Sequence, residues 1–148
     1  MFTCHASASF RRGVVVAPLV AALVLSLGAF TGCGGPRSKM PSYVDVPLPT
    51  ANTPLDQTGA AINRACQRRG WQVENVGPGS LVATFRKKHL MASLNITWTA
   101  GTYTILYRDS AGLGYEPARN AIHPRFVLWV RNLRRTIRNE FARVGLPR

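Results

Sequence analysis

An amphipathic segment near the C-terminus constrains the fold more than any other feature of this chain. Apolar residues recur there at helical spacing: Phe126, Trp129, Val130, Leu133, Ile137, Phe141 and Val144. Pro124 opens the pattern, and Gly145 and Pro147 end it. A helix with one apolar stripe is stable only when another apolar surface covers that stripe. The rest of the chain must therefore supply a second layer.

A second, shorter helix is predicted over residues 54–69. Its apolar face is formed by Leu55, Gly59, Ile62 and Cys66. Arg64 and Arg68 fall on the opposite side, and Gly70 is the expected stop. This segment also has one face to bury.

Between the two helices the apolar period changes to two residues. Alternation runs through residues 81–86, 90–98 and 103–107, and a short strand is predicted from Trp71 to Val73. Strands with one apolar face indicate an antiparallel sheet that is covered on one side only. The short turns between them are typical of a meander.

These elements predict an α+β fold in two layers, in the order α-β-β-β-β-α. An antiparallel β-meander of three to four strands carries both helices on one face. Residues 54–148 would form this compact domain. Residues 33–53 are rich in proline and predict a flexible linker. Within it, residues 43–46 alternate and could add an edge strand, which Pro47 and the proline after it disfavour.

The N-terminal segment has the features of a bacterial export signal. Arg11 and Arg12 precede an uncharged apolar stretch over residues 13–30, and small residues follow. The run Phe30-Thr31-Gly32-Cys33 resembles the lipobox of lipoprotein signals, in which the cysteine receives diacylglycerol and the chain is cut before it. The resemblance implies a signal peptide over residues 1–32 and lipidation of Cys33.

The N-terminal segment can be a cleaved lipoprotein signal or an uncleaved membrane anchor, and in both cases the domain lies outside the inner membrane. Lipidation implies anchoring by lipid, and Gly34 after Cys33 implies the outer membrane, facing the periplasm, under the proteobacterial sorting scheme. In the alternative, residues 13–30 stay as an uncleaved inner-membrane helix, although 18 residues are at the short end of a span.

Basic residues outnumber acidic ones by 19 to 6, which gives a formal charge of +13. Removing residues 1–32 takes away two arginines and no acid, which leaves +11. This charge implies anionic surroundings. Two groups are candidate anion-binding sites: Arg131, Arg134, Arg135 and Arg138 on one side of the last helix, and Arg86, Lys87 and Lys88 at a hairpin tip. A merely solvated face is the alternative.

The membrane is an expected partner through the N-terminal lipid. The other expected partners are an envelope protein, or an anionic lipid, lipopolysaccharide or other polysaccharide or polyanion that matches the positive charge. Nucleic acid is disfavoured, because binding to it also uses exposed aromatic residues and most aromatics here fall on the predicted core face.

A loop is predicted from Asp109 to His123. Asp109, Ser110 and His123 are the residue types of a hydrolytic triad, but no GxSxG surrounds Ser110. They fit a strand end and a helix start better, and with Tyr115 they make a candidate interaction loop. Cys66 is predicted to be a buried, inert thiol. No catalytic residue, metal site or cofactor is expected from these patterns.

Several motifs between Ala60 and Gly145 resemble a family of small proteobacterial lipoproteins without established function. They are Arg68-Arg69-Gly70-Trp71, Tyr107-Arg108-Asp109-Ser110, and Ile122-His123-Pro124 leading to Trp129-Val130-Arg131-Asn132-Leu133. Gly112 and Gly114 depart from the polar residues expected in the loop. The resemblance implies an envelope location and no particular activity. We therefore expect a lipid-anchored, non-enzymatic binding or interaction module; the alternative is a binder of anionic lipid or polyanions through its arginine face.

Overall fold

Two helices and seven strands occupy the part of the chain that this computed structural model describes, residues 35–49 and 53–144. The helices are α1 (Leu55–Arg68) and α2 (Pro124–Val144). The strands are β1 (Ser38–Lys39), β2 (Tyr43–Pro47), β3 (Gln72–Gly77), β4 (Ser80–Lys87), β5 (Leu90–Trp98), β6 (Thr102–Ala111) and β7 (Ala121–Ile122). Cys33–Arg148 forms one compact unit that contains all of them. The other unit, Met1–Gly32, lies outside the described residues, as does Cys33.

The main sheet has five antiparallel strands in the order β2-β6-β5-β4-β3. Strands β3 to β6 follow one another through short turns, so they form the predicted meander. Strands β1 and β7 make a separate two-stranded ladder. The α+β architecture, with an open antiparallel sheet and helices packed on it, is confirmed.

The core lies between the helices and one face of the sheet. From α2 it takes Phe126, Val130, Leu133, Ile137 and Phe141, all fully buried as the helical spacing predicts. From the strands it takes the inward residues of the alternating pattern, such as Leu94 and Ile96, while Leu106 stays exposed on the other face. Each apolar face therefore has the partner that burial requires.

Trp129 differs from the rest of the α2 stripe. It is half-buried at the margin of the core, where its ring packs on Phe85 with 4.8 Å between ring centres. The Trp71 ring also packs on Phe85, with 5.3 Å between ring centres and the rings tilted by 42°. These rings close the core at the end of the sheet where α1 finishes.

The buried face of α1 is rotated from the predicted one. Leu55 is 39% exposed, and the buried residues are Thr58, Ala61, Ile62, Ala65 and Cys66. The reason is Trp98, whose indole N–H donates to the Leu55 carbonyl at 3.1 Å and whose ring lies against Gly59. A Cβ at Gly59 would come within 2.7 Å of that ring, so the close approach requires glycine.

The linker predicted over residues 33–53 is wrong for most of its described length. Residues 38–47 contribute β1 and β2, and the Leu48 N–H donates to the Gly101 carbonyl at 2.9 Å. Met40 and Leu48 are buried. Proline is tolerated at Pro47 because β2 is an edge strand, whose outer side needs no ladder hydrogen bond.

The loop predicted from Asp109 to His123 is also shorter in the structure. Strand β6 continues to Ala111, so Asp109 and Ser110 lie in a strand. A short 3-10 helix, Pro117–Arg119, and strand β7 divide the remainder. The β1–β7 ladder, the hydrogen bond from the His123 N–H to the Leu113 carbonyl at 3.0 Å and the buried Leu113 side chain hold this segment in place.

Candidate anion-binding groove

A groove of about 410 Å³ opens between helix α2 and the β2 edge of the sheet. One wall is apolar and consists of Val46–Pro49 with Tyr103 of β6. The other wall is basic and consists of Arg131, Arg134, Arg135 and Arg138. We call this feature the arginine groove. It brings all four arginines of the predicted α2 face together with Val46–Pro49, which lies within the linker predicted over residues 33–53.

A bulge in β2 shapes the apolar wall. Tyr43 pairs with Ile105 and Val46 with Tyr103, and the register shifts between them. In a regular strand, residues three apart face opposite sides, yet Tyr43 and Val46 both pack against the core. Asp45 absorbs the extra residue with a φ of 48°, and its N–H donates to the Thr104 hydroxyl at 3.0 Å. The bulge therefore turns both side chains toward α2.

The four arginines lie on one face of α2, because their positions repeat at helical spacing. All four are exposed, as predicted. No ion pair within the described residues includes any of them, and the lining of the groove contains no acidic residue. The guanidinium of Arg134 sits over the Tyr43 ring, 4.7 Å from its centre. Such a contact orients the guanidinium without neutralising its charge.

Other arginines of the same helix layer are paired. Glu140 of α2 has a side chain that is only 5% exposed, and three guanidinium groups surround it. They belong to Arg68 at 2.9 Å, Arg143 at 3.3 Å and Arg64 at 3.6 Å. This acid lies beside α1, away from the groove. The positive charge of the groove therefore has no acidic partner among the lining residues, whereas the neighbouring cluster of arginines has Glu140.

Tyr103 lies at the floor of the groove. Burial raises the pKa of its hydroxyl, while the charges of Arg134 and Arg138 lower it and the nearby Tyr43 raises it. The net direction is upward, so the hydroxyl keeps its proton at neutral pH and can donate a hydrogen bond.

The hairpin tip Arg86, Lys87 and Lys88 is a separate basic region. Its three side chains are exposed, but Arg86 pairs with Met91, which pairs with Ala111 at the end of β6. Tyr103 is near the start of the same strand. The two predicted groups of basic residues therefore lie at opposite ends of the sheet and do not form one site.

The residues of the candidate interaction loop have local structural partners. Asp109 accepts the N–H of Ser110 at 2.7 Å, and the Ser110 hydroxyl lies 3.1 Å from the Tyr107 hydroxyl. The Tyr115 ring packs on Tyr107 at 4.5 Å. Nδ1 of His123 accepts the N–H of Arg125 at 3.1 Å, so this histidine caps the start of α2.

In this part of the chain, no hydrogen bond joins His123 to Ser110 or Asp109, and these three residues do not assemble into a triad. Cys66 is also not placed to act as a nucleophile. It is fully buried, and burial raises the pKa of its thiol to about 12. Over residues 35–49 and 53–144, no three His, Cys, Asp or Glu side chains come together as metal ligands would.

A smaller cavity of about 280 Å³ lies between the first half of α1 and the β3–β4 turn. Asn63 and Asn75 line it, and Oδ1 of Asn63 is buried without a hydrogen-bond partner. Sequence reasoning gave no sign of this cavity, because it depends on how closely Gly59 approaches Trp98.

No helix in the described ranges is both long enough and apolar enough to cross a bilayer. The predicted alternative, a membrane helix over residues 13–30, lies outside those ranges. No family model, no curated protein and no solved structure matches this chain. The resemblance to proteobacterial lipoproteins stays a prediction.

Proposed function

We propose that this protein is a lipid-anchored, non-enzymatic binding module of the cell envelope, and that the arginine groove is its binding site for an anionic ligand. The supporting observation is the set of four exposed arginines that face one cavity with no acid among them. Guanidinium groups bind phosphate and carboxylate with paired hydrogen bonds. A recess lined by one sign of charge also concentrates anions from solution.

The paired cluster around Glu140 strengthens this proposal. Like charges on adjacent helical turns repel one another, and the nearby Glu140 carboxylate offsets part of that cost for Arg64, Arg68 and Arg143. The groove arginines have no such carboxylate. An external anion would supply the missing countercharge.

The anchor belongs to the same proposal. If lipid is attached at Cys33, four residues separate it from Ser38, where β1 begins. The five steps from Cys33 to Ser38 span at most roughly 18 Å when fully extended. The domain would then stand directly beside its membrane, within reach of anionic headgroups. We place that membrane at the outer membrane facing the periplasm, with an uncleaved inner-membrane anchor as the alternative.

Vesicle binding tests the function directly. The protein would be residues 33–148 with Cys33→Ser, which retains every described helix and strand. We expect it to co-sediment at low salt with vesicles of phosphatidylglycerol and phosphatidylcholine, and to release as salt rises. Changing Arg131, Arg134, Arg135 and Arg138 to Gln should weaken binding by about three orders of magnitude, since each basic residue near an anionic surface contributes about 1 kcal/mol.

A matched variant controls for total charge. Changing Arg86, Lys87, Lys88 and Arg108 to Gln removes the same charge from exposed positions outside the groove. This variant should keep most of the binding. Equal losses in both variants would contradict a site at the groove. Salt-tolerant capture of one envelope protein, with no vesicle binding, would instead support an interaction module that does not use the groove.

A further inference from the structure

We propose that the arginine groove binds a single phosphate-bearing amphiphile, with the phosphate among the arginines and the alkyl chain along Val46–Pro49 and Tyr103. This inference rests on the proposed function and adds the class of ligand. It follows from the two unlike walls of one cavity.

The basic wall matches a compact, doubly charged head. Four guanidinium groups spaced over two turns of α2 face one recess. A phosphate monoester carries between one and two negative charges at neutral pH and has three acceptor oxygens. Arg134 is already oriented by the Tyr43 ring, so little side-chain freedom is lost when it binds. Tyr103 lines the same recess, and its hydroxyl interacts with Arg134.

The apolar wall has few hydrogen-bond donors for a polar group of a ligand. Pro47 and Pro49 have no backbone N–H, and the N–H of Leu48 already donates to Gly101. The side chains of Val46–Pro49 are aliphatic or proline rings, and Tyr103 adds an aromatic ring with a single hydroxyl. A sugar or a peptide would find few hydrogen-bond donors on this wall, whereas an alkyl chain needs none.

The size of the groove favours a single molecule over contact with a flat membrane surface. A volume of about 410 Å³ lies within the range of roughly 300–1,000 Å³ found for small-molecule sites. A surface held by electrostatics alone needs exposed charges and no recess with an apolar wall. The combination of recess, charge and apolar wall selects an amphiphile.

A chain-length series tests this inference. Ethyl, butyl and octyl phosphate, each below its aggregation concentration, would be titrated by calorimetry into residues 33–148 with Cys33→Ser. Each fully buried methylene contributes about fourfold in affinity. Allowing for partial burial, we expect octyl phosphate to bind at least about tenfold more tightly than butyl phosphate. Octanol and octyltrimethylammonium should show no binding.

Two variants of one strand locate the chain. Val46→Thr keeps the side-chain volume but puts a hydroxyl on the apolar wall, so it should weaken octyl phosphate severalfold and leave ethyl phosphate unchanged. Val44→Thr is the matched control, because Val44 is 60% exposed in the same strand and does not line the groove. Arg135→Gln should weaken all three esters by a similar factor. Thermal melts of each variant would confirm folding.

The outcomes separate this inference from the proposed function. Groove-dependent vesicle binding with no dependence on chain length would overturn the amphiphile and leave the anionic site standing. An octyl phosphate affinity unchanged by Val46→Thr would contradict the placement of the chain. If the protein binds none of the three phosphate esters and no anionic vesicles, the inference of an amphiphilic ligand and the proposed function are both overturned.

Discussion

At the scale of single residues, the balance of charge distinguishes two groups of arginines. Glu140 is nearly buried and holds Arg64, Arg68 and Arg143, whereas the arginines of the groove have no acid. A buried carboxylate beside three guanidinium groups joins α1 to α2. The sequence shows Glu140 as the sole acid of the last helix, but its partners on α1 follow only from the packing of the two helices.

Replacing this acid should destabilise the fold. Glu140→Gln removes the charge that three arginines share, and hydrogen bonds to charged groups contribute about 1.5–3 kcal/mol. We expect the free energy of unfolding to fall by about 1–3 kcal/mol in urea titrations. Arg143→Gln is the control, because it leaves two arginines on the carboxylate and should cost less. A Glu140→Gln variant as stable as the parent would show that the cluster does not hold the helices together.

Cys66 gives a test of core packing through its chemistry. Burial raises the pKa of its thiol from 9.0 to about 12. The folded state thus favours the protonated thiol, and the stability linked to it is present below about pH 9 and lost as pH rises toward 12. In residues 33–148 with Cys33→Ser, Cys66 is the only cysteine. Alkylation at pH 8 should be very slow in the native protein and fast in urea, whereas fast native labelling would contradict the buried position.

At the scale of elements, residue periodicity predicted the helices and strands whose pattern is local, and it missed the strand that depends on distant partners. Strands β4, β5 and β6 and both helices follow from the periods of apolar residues. The burial of α2 and of these strands matches the pattern, whereas the buried face of α1 is rotated from the predicted one. Strand β2 does not follow in this way, because its prolines resemble a linker and its partners, Thr102–Ile105, are some sixty residues away. Residues 43–46 do alternate in sequence, but Pro47 disfavours a strand there, and the bulge does not follow from the pattern.

The bulge itself makes a sharp prediction. Asp45 has a φ of 48°, which aspartate adopts more readily than a β-branched residue. Asp45→Val should cost about 1–3 kcal/mol of stability and also weaken octyl phosphate binding, because Val46 would lose its position. Asp45→Gly keeps the backbone conformation accessible and should retain the groove. Denaturant titration with calorimetry checks both effects, and a fully stable Asp45→Val variant would contradict the strained bulge.

At the scale of the whole molecule, the candidate site was half predictable. The four arginines were identified from helical spacing and their exposure was confirmed, since an amphipathic helix fixes which face is outside. The apolar wall could not be predicted from the sequence, because it arises where Val46–Pro49 meets α2 across the edge of the sheet. The hairpin tip was grouped with these arginines by charge alone, and sheet register separates them.

The proposed anchor can be tested on the full chain in a bacterial host. Cys33→Ser should abolish incorporation of labelled fatty acid and leave an unprocessed precursor, because the acceptor thiol of the lipobox-like sequence is gone. Cys66→Ser should label normally and serve as the control. Normal labelling of the Cys33→Ser variant would refute lipidation at this residue.

The measurement closest to the central claim is an NMR titration that follows arginine side-chain Nε–H resonances of residues 33–148 with Cys33→Ser as octyl phosphate is added. The account predicts saturable shifts at Arg131, Arg134, Arg135 and Arg138, with those of the Glu140-paired arginines unchanged. Shifts confined to Arg86 and other arginines outside the groove, or no saturable shift at all, would contradict a binding site in the arginine groove.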